Sequence, residues 1–119
     1  MTYIEQIEEL RKEVKQIYSP SVRIIMNSLM TSAFLADVDS VNDAVLSLKE
    51  LEEVYKRDFD KPVTSYKAHQ VMADSKFIKF KIQLFKKLFI GYLEEDLDFK
   101  KSKYKECKKI IELLSKFDD

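Results

Sequence analysis

Few side chains in this sequence are of the kinds that do chemistry, and those few stand apart. There is one histidine (His69), one cysteine (Cys107), one glycine (Gly91) and no tryptophan. A metal site draws several His, Cys or carboxylate ligands together, commonly from pairs three or four residues apart on a helix. His69 has no Cys, Asp or Glu three or four residues after it, and no Glu-x-x-His motif occurs in the chain. It is expected as a surface or half-buried helix residue. Cys107 falls on the inward stripe of the last helix, where a thiol behaves as a small inert hydrophobe. The carboxylates Glu8-Glu9, Glu50/Glu52/Glu53 and Glu94-Glu95-Asp96 look like solvated faces and helix ends, not desolvated acids tuned for proton transfer. Phosphate-cradling loops need glycines that are missing here. No enzymatic activity, metal or cofactor is expected.

Lysines are the other chemical signal. Lys76, Lys79, Lys86 and Lys87 share the polar side of one helix, and Lys100, Lys101, Lys103, Lys105, Lys108 and Lys109 crowd the start of another. Such runs can neutralise phosphates, which makes Lys79, Lys86, Lys87, Lys100, Lys101 and Lys105 candidates for sequence-independent contact with nucleic acid or another anionic surface. Bidentate base reading calls for arginine, and the three arginines all lie elsewhere. The formal net charge is zero, yet residues 1–60 hold seven basic against twelve acidic side chains, and residues 61–119 fourteen lysines against nine acids. The favoured consequence is mutual attraction of the halves on packing; the alternative is a basic face turned to an anionic partner.

The elements that carry these residues are helices. A chain of 119 residues, 45% hydrophobic and 35% charged, is long enough for one domain with its own core. The longest charge-free run, between Arg23 and Asp37, is too short to span a bilayer. The acidic, amphipathic N-terminus is not a signal peptide, so a cytoplasmic protein is expected. The excess of Lys over Arg, with abundant Ile, Phe and Tyr, suits an AT-rich bacterial or phage genome.

Thr2 and Glu5 form a capping box, and the stripe Tyr3, Ile7, Leu10, Val14, Ile17 has helical spacing. Ser19-Pro20-Ser21 ends that helix and caps a second, running to about Ala36. Ser40 with Asp43 is expected to cap a third, with Val41, Ala44, Leu48, Leu51 and Tyr55 inward, ending near Asp58 before the Asp60-Lys61-Pro62 turn. Thr64 or Ser65 caps a fourth, which Asp74-Ser75 either interrupts or bends. Asp96 or Asp98 starts the last, with Tyr104, Cys107, Ile111 and Leu114 inward. The fold class is all-α: a compact helical bundle of five or six helices with short loops, a single domain over 1–119.

Two helices carry more apolar surface than a bundle exterior needs. From Phe77 to Leu93 the apolar side chains cover an arc of roughly 220°, about twice what one buried face requires. In the second helix Val22, Ile25, Met26, Leu29, Ala33 and Ala36 form the inner side, while Ile24, Asn27, Thr31, Phe34 and Leu35 leave the other side uncharged. Either a helix runs through the middle of the bundle, or an apolar side meets another protein; the second is favoured. Lys81 interrupts the larger arc and must snorkel or pair with a carboxylate. A strand over Lys79–Leu84 would also alternate but has no partner strand. These features predict a non-enzymatic protein-binding module, a small regulator, inhibitor or assembly subunit. The expected partner is a second copy, a homodimer drawing on Phe77, Phe80, Lys81, Leu84 and Leu88, or on Ile24, Thr31 and Leu35.

Overall fold

A computed structural model of the chain describes the backbone of residues 1–17, 19–59 and 66–118, and their side chains except those of 54–59 and 66–75. Its described residues form six α-helices and a terminal 3-10 turn, with no strand: an all-α bundle measuring 52 × 27 × 24 Å.

Helix α1 (Tyr3–Val14) starts where the Thr2 hydroxyl accepts the Glu5 N–H at 3.1 Å. Its buried stripe is Ile7, Leu10 and Val14, continued by Ile17 beyond the helix end. Helix α2 (Pro20–Phe34) opens with proline at its first position and Ser19 as cap, accepting the Val22 N–H at 3.4 Å. It closes in a Schellman motif: the Asp37 N–H reaches the Ser32 carbonyl at 3.0 Å and the Ala36 N–H that of Ala33 at 3.1 Å. That motif needs a left-handed residue, and Ala36 supplies it at φ 54° without the freedom of glycine.

Helix α3 (Val38–Phe59) begins earlier than expected. Its cap is Asp37, not Ser40: the Asp37 carboxylate accepts the Ser40 N–H at 3.2 Å and the Ser40 hydroxyl at 2.7 Å. Those two bonds, the hydroxyl's first, hold the Asp37 carboxyl below its ordinary pKa. Helix α4 (Tyr66–Glu95) is continuous over 30 residues, through Asp74-Ser75 and through the segment weighed as a strand. The expected caps at Thr64 or Ser65, the Asp60-Lys61-Pro62 turn and the side chains of Tyr55 and His69 lie outside the described residues.

Asp96 accepts the Phe99 N–H at 3.1 Å and the Tyr92 hydroxyl at 2.9 Å, and so caps the short α5 (Leu97–Ser102). The chain bends at Lys103 into α6 (Tyr104–Leu114), followed by the 3-10 turn Ser115–Phe117. The buried set of α6 and the turn is Cys107, Ile110, Leu113, Leu114 and Phe117; at 100° per residue Tyr104 falls beside the half-buried Ile111, at the edge of that face, and it is 58% exposed. This corrects the stripe expected from spacing alone.

α2 and α3 pack along each other, and α4 touches α1, α3, α5, α6 and the 3-10 turn. From α2, Phe34 meets Phe85, Phe89 and Tyr92 of α4 edge-on, with centroids 6.1, 5.5 and 5.1 Å away. On its α1 side α4 carries Gly91, where a Cβ would stand only 2.4 Å from the Tyr3 ring. The glycine is what lets that ring lie on the helix. α4 is thus the central helix, which accounts for the breadth of its apolar arc.

Candidate functional site

Because α4 is surrounded, most of its arc is spoken for within the chain. Ile78, Ile82, Phe85, Leu88, Phe89 and Leu93 are buried. Leu88, at 4% exposure, is a core residue and not part of an outer face, contrary to expectation. Phe77 and Leu84 are half-buried and pack on the same core, so they offer only edges. Phe80 alone of the expected α4 set remains open, at 61%.

Lys81 is settled by pairing. Its ammonium forms a salt bridge with Glu13 of α1 and sits over the rings of Phe77 and Phe80, 5.0 and 5.5 Å from their centroids. The charge of a largely covered lysine is thereby matched inside the chain. The pair joins Glu13 of the acidic N-terminal half to Lys81 of the basic C-terminal half.

The outer side of α2 is different. Ile24 and Leu35 are each 70% exposed, and Asn27, Ser28 and Thr31 between them are exposed as well. Steps of four, three and four residues place Ile24, Ser28, Thr31 and Leu35 within about 60° of arc. Ile24 and Leu35 stand about 16 Å apart along the axis. The stripe has a symmetry of its own. Ile24 and Leu35 are equidistant in sequence from the point between Leu29 and Met30, and so are Ser28 and Thr31. Apolar residues mark the ends and small hydroxylated ones the middle. No charged residue occurs between Arg23 and Asp37. A shallow groove runs beside the stripe between α2 and α3, walled by Ile25, Ser40, Asp43, Ala44 and Ser47.

The lysines divide into two groups. On α4, Lys86 is bound to Asp118 at 2.7 Å, so it is not the free phosphate ligand expected, and Lys79 also has an interaction of its own. Lys87 is exposed. Lys101, Lys103, Lys105, Lys108 and Lys109 are exposed around the α5–α6 bend, with Lys100 half-buried beside them. Lys86 lies at the far end of α6 from this cluster, roughly 20 Å along the helix, so the six candidate phosphate ligands do not form one site.

Among the described residues no group of three His, Cys, Asp or Glu side chains could hold a metal ion, and no helix is long and apolar enough to cross a membrane. Cys107 is buried, and burial, helped by the neighbouring Glu106 charge, pushes its thiol pKa up, away from the reactive thiolate. Tyr104, expected inward, is exposed, and so is Leu46. Leu46 carries no distinguishing signal, and Tyr104 shares its helical spacing with Cys107, Ile111 and Leu114. The chain matches no protein-family model, no curated protein and no solved structure.

Proposed function

We propose that this protein is a non-enzymatic interaction module that binds through the outer face of α2, and that the occupant of that face is a second copy of the chain. The observation that carries this is the uncharged, exposed and sequence-symmetric stripe Ile24, Ser28, Thr31, Leu35. In a two-fold dimer residue i meets residue j and j meets i. An antiparallel pair of α2 helices with its axis between Leu29 and Met30 brings Ile24 against the partner's Leu35, and Ser28 against the partner's Thr31. Small side chains at the centre let the helices approach, and the apolar pair closes each end. Since the stripe has no charge, two copies meet without like-charge repulsion.

A seam of one 15-residue helix per chain is smaller than a standard interface, so the dimer is weak, with dissociation on the order of tens of micromolar. A weak self-contact suits a regulator or assembly subunit whose association responds to its concentration.

Cysteine pairing tests the register. The double variant Ile24→Cys/Leu35→Cys should form disulfide-linked dimers on mild oxidation, because each introduced thiol faces the other type across the axis. Either single variant should not, since its thiol stands about 16 Å along the axis from its own copy, beyond disulfide reach. Equal cross-linking of the singles, or none in the double, rejects this arrangement.

A further inference from the structure

The α5–α6 corner lies outside the proposed dimer seam and has a chemistry of its own. Six lysines fall within residues 100–109 against a single carboxylate, the half-buried Glu106. None of the six has an ion-pair partner among the described residues. Elsewhere the structure does pair its covered lysines, as at Lys81 and Lys86. Here the charges are left to water. In their midst, at the first position of α6, stands the ring of Tyr104, 58% exposed. Tyr104 opens α6 directly after the Lys103 bend, so Lys100, Lys101 and Lys103 precede this ring along the chain and Lys105 and Lys108 follow it, Lys108 one helical turn on.

We infer that this corner is a binding site for single-stranded nucleic acid, with the lysines on the phosphates and Tyr104 stacking on an unpaired base. Two features select this ligand. An exposed aromatic among ammonium groups is the combination that holds a strand whose bases are free, since any base has a face to stack on. A duplex keeps those faces hidden. Lysines act as point charges on phosphate, and the absence of arginine from the corner removes the bidentate fork that reads base edges. The site therefore takes the strand without sequence preference. An anionic membrane is disfavoured. Leu97, the exposed apolar residue nearest in sequence, lies between Asp96 and Asp98, so the lysines have no apolar anchor free of acidic neighbours to insert into a bilayer.

Fluorescence anisotropy with a labelled 15-mer oligothymidylate tests the inference on the full chain. With about four phosphates neutralised, affinity should fall roughly 50-fold between about 50 and 200 mM salt. Lys101→Glu/Lys105→Glu should weaken binding more than about 10-fold and flatten the salt dependence. Tyr104→Leu should weaken it about 10-fold with the salt slope unchanged, and Tyr104→Phe should restore it. Tyr104 is exposed, so neither change at that position disturbs the core, and unchanged circular dichroism verifies this. The site is overturned by no binding at the lower salt, by an unaffected Tyr104→Leu variant, by equal or tighter binding of a matched duplex, or by binding to phosphatidylserine vesicles without binding to the oligonucleotide.

Discussion

Replacing Gly91 with alanine isolates the contact that seats α1 on the central helix. In an open helix the change would stabilise by about 0.8–1 kcal/mol, because alanine loses less backbone freedom on folding. Here the new Cβ would lie 2.4, 2.5 and 3.0 Å from three atoms of the Tyr3 ring, so the ring and the start of α1 must move. Overpacking of this kind costs about 1–3 kcal/mol. The net expectation is a loss of about 1 kcal/mol, near 4 °C in Tm for a chain of this size. In a Tyr3→Ala background the obstacle is gone, and the same substitution should stabilise by about 1 kcal/mol. Urea denaturation of the four proteins, followed by circular dichroism at constant m, closes the cycle. The two effects should differ in sign, with a coupling of about 1–3 kcal/mol. A stabilisation equal in both backgrounds, within about 0.5 kcal/mol, would refute the packing argument.

Ala36→Gly relieves a left-handed backbone worth about 1–2 kcal/mol, against about 0.8 kcal/mol of lost methyl burial and about 0.4–1 kcal/mol of added unfolded-chain freedom, so stability should stay within about 0.8 kcal/mol of wild type. A loss above about 1 kcal/mol by urea titration contradicts the strained cap. Asp37, whose folded pKa is depressed by Ser40, contributes stability that is present above its unfolded pKa of about 3.9 and lost as the pH falls through the lower folded value. The stability gap between wild type and Asp37→Asn should therefore close on acidification from about pH 6 to about pH 3, and a pH-independent gap would count against the cap.

Local chemistry made much of the fold readable. Thr2-Glu5 and Ser19-Pro20 are caps whose partners lie within three residues, and the stripe of α1 is set by helical spacing alone. Less legible were features that depend on what lies across the bundle. Asp37 and Ser40 are both good capping residues, and the choice between them turns on the Schellman turn at Ala36, which usually announces itself with glycine. Tyr104, Cys107, Ile111 and Leu114 have helical spacing, but so do Cys107, Ile110 and Leu114, and only the packing of α6 decides which of the two overlapping stripes is buried, leaving Tyr104 exposed. The apolar arc of α4 is plain in the sequence, but whether intramolecular helices or a partner cover it is decided by α1, α2 and α6, whose placement is tertiary. Leu88 and Ile24 look alike in sequence, and the structure buries one and exposes the other. Lys81 was legible as a problem, and its solution required knowing that Glu13 lies opposite.

Sedimentation equilibrium of the wild-type chain beside Ile24→Asp tests self-association through α2 most directly. The wild type should pass from a 14.1 kDa monomer toward twice that mass over tens of micromolar, with little dependence on salt because the seam carries no charge. Ile24→Asp should stay folded and monomeric throughout. A wild type that sediments as a clean monomer across that range, or an Ile24→Asp variant that dimerises as well as the wild type, would contradict the proposed dimer.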